Sequence, residues 1–118
     1  MSRRMLAALA IAVVALSGAS AQAAPDKAML VAKVKVTAKE FKYILSAKTA
    51  KRGIVIFKVT NVGALQHNFE IKGRKTRMLS HGQSATLRVT FLRKGSYPYK
   101  CTVDHHAGLG MKGIFTIT

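Results

Sequence analysis

Short segments in which apolar and polar residues alternate follow one another from residue 30 to the end of the chain. Alternation with a period of two is typical of β-strands that bury one face. Within 53–63, for example, Val55, Phe57 and Val59 fall on the same face of the predicted strand. Gly, Asn and Ser residues, which favour turns, separate the segments. The predicted strands cover residues 30–37, 40–46, 53–63, 67–73, 84–92, 96–102 and 113–118.

Seven short strands with no long helical pattern predict an all-β fold. We expect a single-domain antiparallel β-sandwich with Greek-key connections and about seven or eight strands. The irregular segment 73–83 has room for one turn of helix. In 96–102, the side chains of Tyr97, Tyr99 and Cys101 share a face. We expect this face to point into the sandwich, so the thiol of Cys101 is predicted to be buried at one end of the domain.

The first residues have the composition of a secretory signal peptide. Arg3 and Arg4 precede an apolar run from Met5 to Leu16, and small residues with the spacing of a cleavage site follow. The apolar run is too short to span a membrane. We therefore expect a signal peptide over 1–23, a domain over 24–118, and a protein exported to the periplasm. The arginine pair also matches a twin-arginine signal, so the export route stays open.

The charge of the chain is strongly basic, with 20 Lys and Arg against 4 Asp and Glu. Removing Arg3 and Arg4 with the signal lowers the net charge from +16 to +14. Such a surface favours acidic partners and speeds their approach at low salt. Export and the scatter of the basic residues along the strands argue against nucleic acid. A solvated face, a protein docking surface and an anionic lipid surface all remain open as its purpose.

Cys101 is the only cysteine of the chain, so it has no partner for an intramolecular disulfide. A lone thiol in an exported protein is buried and inert, paired with another chain, or a metal ligand. The stretch CTVDHHAGLGM, from Cys101 to Met111, adds two adjacent histidines and a thioether. His67, after the turn-rich NVGALQ, offers another imidazole at the start of a predicted strand. Thiolate, imidazole and thioether together favour copper.

The segments VTNVGALQHNFEI, GQSATLRVTF and KGSYPYKCTVDHHAGLGMKGIFTIT resemble the cupredoxin family of blue copper proteins, of the plastocyanin-like bacterial type. The resemblance extends over about residues 30–118. It implies a β-sandwich with one type 1 copper ion near one end. His67 and Cys101 match the upstream imidazole and the thiolate ligands, and Met111 matches the axial thioether. Asn68 matches the residue that ties the two ligand loops together.

The resemblance also separates the two histidines of the loop. Its ligand histidine is followed by four residues and then by the methionine. His106 has this spacing to Met111, whereas His105 is one residue too far, so His106 is implied as the ligand. His105 occupies a position that often holds Gly, and we expect it to be exposed and not to bind the metal. Asp104 stands where a Pro is frequent.

The function implied by the resemblance is that of a soluble exported carrier that shuttles single electrons between redox partner proteins. The solvent-facing edge of His106 is the implied electron port. We expect partners with an acidic docking surface, a monomeric state, no nucleic acid, no membrane span and no enzymatic activity. The residues expected to surround the port are small or apolar: Ala64, Leu65, Ala107, Gly108 and Leu109.

Three alternatives to an electron carrier are open at the level of the sequence. A periplasmic copper-binding or delivery protein would hold the same metal without a redox role, but such proteins usually have Met- or His-rich tracts. A multicopper oxidase needs histidines beside the cysteine, and Cys101 is flanked by Lys100 and Thr102. A thiolate with two imidazoles also binds Zn(II), although the order of affinities favours Cu(II).

Overall fold

The structure is a computed structural model that describes residues 29–118. Over this range the chain forms nine β-strands and one short 3₁₀ helix, Ala107–Leu109. The predicted signal peptide, 1–23, lies outside the described residues. In chain order the strands are β1 (Leu30–Lys39), β2 (Lys42–Leu45), β3 (Thr49–Ala50), β4 (Gly53–Asn61), β5 (Glu70–Ile71), β6 (Arg74–Lys75), β7 (Ser84–Phe91), β8 (Gly95–Lys100) and β9 (Lys112–Ile117).

The strands form two sheets that pack face to face. One sheet has four strands in the order β2-β1-β4-β7, and the other has five in the order β3-β9-β8-β5-β6. The side chains predicted to point inward are buried between the sheets. Phe57 contacts both Phe69 and Phe115 there, with ring centroids 5.2 Å apart in each pair. The predicted all-β sandwich is therefore confirmed.

Two strand pairings are parallel, and here the structure differs from the purely antiparallel expectation. β1 pairs with β4 along its length, from Leu30 opposite Gly53 to Ala38 opposite Asn61, and β3 pairs with β9. After β2 the chain crosses to the other sheet as β3 and then returns beside β1 as β4. The alternation of apolar and polar residues shows which face of a strand is buried. The same alternation occurs beside parallel and antiparallel neighbours, so it does not predict the direction of pairing.

The predicted strands match the observed ones closely, except in the segment around His67. The predicted strand 67–73 is reduced to β5 and an isolated bridge between His67 and Leu79. The irregular segment 73–83, which had room for one turn of helix, contains β6 and the Leu79 side of this bridge. The two-residue strands β3 and β6 were not predicted, because two residues are too few to show an alternation.

A small apolar cluster closes one end of the sandwich. It contains Ala38, Cys101 and Met111, all buried, with Phe41 and Tyr43 packed against them. We call this the loop end, and it is formed by the β1–β2 turn and by the segments 61–69 and 101–111. Within residues 29–118, no helix is long and apolar enough to cross a membrane.

Candidate metal centre

Three side chains that could hold a metal ion meet at the loop end. His67 Nδ1, Cys101 Sγ and His106 Nδ1 all lie within 4.8 Å of one another. The two ring nitrogens are 3.2 Å apart, and the sulfur is 3.9 Å from His67 and 3.6 Å from His106. All three side chains are buried. The fold therefore brings together three of the predicted ligand residues, which span 39 positions of the chain.

Two separate segments of the chain supply these donors. His67 is held at the bridge to Leu79, where each backbone N–H donates to the carbonyl of the other residue, at 3.0 and 2.8 Å. Cys101 directly follows β8, and its position on the inner face of that strand turns its thiol into the domain. His106 precedes the short 3₁₀ helix. The imidazole of one segment thus reaches the thiol and imidazole of the other.

Met111 is fully buried in the same cluster as Cys101. The backbone N–H of Cys101 donates to the carbonyl of Met111 at 3.1 Å, and the N–H of Met111 donates to the carbonyl of His106 at 3.1 Å. These bonds close the 101–111 segment on itself. The structure therefore brings all four residues of the predicted ligand set to the loop end.

Asn68 connects the segments that carry the two halves of this cluster. Its side-chain oxygen accepts from the backbone N–H of Thr102 at 2.8 Å, and its side-chain nitrogen donates to Thr102 Oγ1 at 2.7 Å. The hydroxyl of Tyr43 donates to the Asn68 carbonyl. Burial, with Cys101 nearby, raises the pKa of Tyr43, so its hydroxyl stays a donor. Asn68 thus lies where the sequence resemblance implies a link between the loops.

His105 lies outside the donor cluster. Its side chain is exposed, and its backbone has a φ of 69°, in the left-handed region. Glycine adopts this conformation without steric cost, whereas other residues do not. Glycine, which the sequence resemblance implies at this position, would adopt this backbone at a lower cost than histidine.

The donor set fits copper. Two imidazoles, a thiolate and a thioether are the ligands of a type 1 site, and softer sulfur ligands favour copper over hard cations. The two Nδ1 atoms and the thiol face one another on buried side chains, so these residues would hold a copper ion if it were bound. Burial, followed by the nearby His67, lowers the pKa of His106, which keeps its imidazole in the neutral form that binds metal.

A family model described as a cupredoxin-like domain matches residues 6–116, nearly the whole chain. The chain belongs to the cupredoxin-like family. Its fold is shared by solved structures of low sequence identity. No curated protein sequence matches this cupredoxin.

Among these structures are two auracyanins and a multicopper oxidase. An auracyanin from Roseiflexus castenholzii matches with a TM-score of 0.64 and 23% identity, over 73% of this chain and 96% of that one. Auracyanin A, a "blue" copper protein from Chloroflexus aurantiacus, matches with a TM-score of 0.62 and 16% identity, over 75% and 100%. The oxidase matches with a TM-score of 0.60 and 15% identity, over 74% of this chain and 44% of the oxidase chain. These likenesses support the fold.

Two residues of the β1–β2 turn contact the histidines of this cupredoxin and were not identified from the sequence. Glu40 Oε1 accepts from His67 Nε2 at 3.2 Å and from the backbone N–H of Leu65 at 2.6 Å. The ring of Phe41 stands edge-on to His106, with centroids 5.1 Å apart. The Leu65 bond is the main reason that the pKa of Glu40 is lowered to about 2, so this side chain is a carboxylate at neutral pH. The only signal in the sequence is that acidic residues are rare in this chain.

Proposed function

We propose that this cupredoxin is an exported one-electron carrier that holds one type 1 copper ion through His67, Cys101, His106 and Met111. The observation that carries the proposal is the meeting of one thiol and two imidazole nitrogens on buried side chains. Copper supplies the redox chemistry at such a site by changing between Cu(I) and Cu(II). A reduced partner gives one electron, an oxidised partner takes it, and the carrier returns to its starting state.

The contribution of the protein chain is a donor set that is held in place. The backbone bonds among Cys101, His106 and Met111 tie three of the four side chains within one loop. The Asn68–Thr102 pair ties the segment of the fourth, His67, to that loop. Donors that do not rearrange when the charge of the ion changes favour fast electron exchange.

The surface around His106 supports its role as the electron port. His106 is 8% exposed, whereas His67 is 0% and Cys101 is 1% exposed, so a partner approaches the donor set most closely at His106. Leu65 and Leu109, expected from the sequence to lie around the port, are both exposed. An apolar surface of this kind allows close and brief docking, and electron-transfer encounters are typically small.

The charge and the N-terminal sequence support the remaining parts of the proposal. The secretory pattern of residues 1–23 favours export to the periplasm. The net charge of +14 expected after cleavage favours redox partners with acidic surfaces. Because Lys100 and Thr102 flank Cys101, the residues beside the thiol do not match those that a second copper cluster needs. We therefore propose a carrier and no enzymatic activity.

The test of the proposal is the absorption spectrum of the purified mature protein after addition of Cu(II). We expect one copper per chain and an intense blue band from the thiolate-to-copper transition. Addition of one electron should remove the band, and reoxidation should restore it. A Cys101→Ser variant is the control and should stay colourless. A stable one-to-one complex of the unchanged protein without the blue band would contradict the proposal.

A second measurement separates an electron carrier from a copper-delivery protein. Because the thiol and imidazoles are buried, we expect transfer of copper to a competing chelator to be much slower than electron exchange with a redox reagent. Both rates can be followed through the blue band in the same sample. Rapid copper transfer together with slow electron exchange would instead support delivery.

A further inference from the structure

Glu40 is placed at the candidate metal centre although acidic side chains are rare in this protein. Only three of the four acidic residues, Glu40, Glu70 and Asp104, belong to the described range. Glu40 lies in the turn between β1 and β2, 27 positions before His67 in the chain. Its side chain is 29% exposed, so the carboxylate lies at the edge of the protein interior.

The contact between Glu40 and His67 is on the side of the ring that faces away from the cluster. His67 uses Nδ1 toward Cys101 and His106, and Nε2 toward Glu40. A carboxylate only accepts hydrogen bonds, so Nε2 carries the proton and donates it. In a neutral imidazole the lone pair then lies on Nδ1, the nitrogen that faces the other donors. The contact therefore selects the tautomer in which His67 can bind a metal through Nδ1.

The carboxylate of Glu40 is itself held by the segment that carries His67. The backbone N–H of Leu65 donates to Oε1 at 2.6 Å. Gly63 leaves room for the group: a Cβ added there would lie 2.5 Å from Oε1 and 2.6 Å from Oε2. A carboxylate fixed in this way does not have to be ordered when a metal binds, and it orients the imidazole in advance.

We propose that Glu40 is a positioning residue that holds His67 in its metal-binding tautomer and makes the site prefer Cu(II) over Cu(I). The inference rests on the proposed function, because it takes copper as the metal. A carboxylate bonded to a ligand imidazole strengthens that imidazole as a donor. Its negative charge also favours the more positive oxidation state and opposes the field of a strongly basic protein.

Two substitutions of Glu40 separate the hydrogen bond from the charge. Glu40→Gln keeps an oxygen that accepts from His67 and Leu65 but removes the charge. Glu40→Ala removes both. We expect Glu40→Ala to lower the affinity for Cu(II) by about 10- to 100-fold, as is typical when the partner of a ligand histidine is lost. The affinity for Cu(I) should change much less. The Cu(II) affinity of Glu40→Gln should lie between that of the unchanged protein and that of Glu40→Ala.

The reduction potential reports the same preference directly. Each tenfold loss of Cu(II) affinity at constant Cu(I) affinity raises the potential of a one-electron couple by about 59 mV. Glu70→Gln is the matched control, because it removes one negative charge in β5, and the side-chain hydrogen bonds of His67 and His106 in the described part of the chain do not involve Glu70. If Glu40→Ala and Glu40→Gln keep the potential of the unchanged protein, or if Glu70→Gln raises it equally, the inference is wrong.

Gly63→Ala tests the position of the carboxylate while the charge is kept. The added methyl displaces Glu40 from His67, and the atoms it meets are at the end of a flexible side chain, so folding should be retained. We expect the potential to rise toward that of Glu40→Ala. A potential equal to that of the unchanged protein would show that the position of the carboxylate does not matter and would overturn the inference.

The proton on His67 Nε2 gives a measurement that does not need copper. In the copper-free protein, nitrogen-15 NMR should show His67 protonated at Nε2, with a proton that exchanges slowly with water. Glu40→Ala and Gly63→Ala should speed this exchange at least tenfold, and Glu70→Gln should leave it unchanged. Equal exchange in all variants would overturn the tautomer inference. If the unchanged protein forms no blue complex, the proposed function fails, and the NMR result still decides whether Glu40 holds His67.

Discussion

At the scale of single residues, the two adjacent histidines of the 101–111 loop have opposite environments. His106 is buried, edge-on to Phe41, and its Nδ1 faces Cys101. His105 is exposed and has a left-handed backbone. Their neighbouring positions in the sequence therefore do not make them equivalent, because the backbone at His105 turns its side chain away from the cluster.

Substitution of each histidine by glycine should give different results. His106→Gly removes a proposed ligand and should abolish the blue band, whereas His105→Gly should keep it. Because glycine tolerates a positive φ, His105→Gly should also raise the unfolding free energy of the copper-free protein by about 0.5–1 kcal/mol. Absorbance and urea unfolding measure the two effects. Loss of the band in His105→Gly with retention in His106→Gly would reverse the ligand assignment.

At the scale of elements, the loop end depends on links between segments that are distant in the sequence. Asn68 and Thr102 are 34 positions apart and share two hydrogen bonds. The β1–β2 turn adds Glu40 on one histidine and Phe41 on the other. Three connections between strands thus surround the donor set. The two sheets fix the positions at which these connections begin and end.

Loss of the Asn68 side chain should weaken this arrangement. Asn68 is 2% exposed, so Asn68→Ala removes both bonds and leaves the N–H of Thr102 without its partner. We expect the unfolding free energy of the copper-free protein to fall by about 1–3 kcal/mol. Thr102→Ser, which keeps the hydroxyl and the backbone N–H, is the control and should change stability much less. Urea unfolding of the three proteins measures this, and equal stability of Asn68→Ala and the unchanged protein would refute it.

For the molecule as a whole, six cationic residues lie on the outer face of the four-stranded sheet. Lys35 lies opposite Lys58, and Lys39 lies opposite Lys42. Like charges placed opposite each other on neighbouring strands repel. An anionic partner relieves this repulsion, which agrees with the proposal that the redox partners are acidic. The cations on this face are Lys33, Lys35, Lys39, Lys42, Lys58 and Arg88.

The rate of electron exchange should depend on salt with a sign set by the reagent. With an anionic redox reagent the second-order rate constant should fall steeply as salt is added, and with a cationic reagent it should rise. The reason is that the screening length shortens from about 30 Å at 0.01 M to about 3 Å at 1 M salt. Stopped-flow absorbance of the blue band measures both rates. The same salt dependence for both reagents would show that the net charge does not steer encounters.

The amino-acid sequence was enough to predict the buried faces of the strands and the residues that approach one another at the loop end. Alternation placed Phe57 and Cys101 on inner faces, because a strand has a period of two whatever its neighbours are. The resemblance to cupredoxins led to His67, His106 and Met111, and the spacing to Met111 selected His106 over His105. These features are local, or depend on a motif of consecutive residues.

Three features became visible only in the folded chain: the parallel pairing of β1 with β4, the left-handed backbone at His105 and the contact of Glu40 with His67. Each depends on the path of the chain in space. Glu40 is an ordinary acidic residue after a strand until the fold brings it to a histidine 27 positions away. A hydrogen bond between distant residues leaves no periodic signal in the sequence. It requires only that the fold brings one donor and one acceptor within bonding distance.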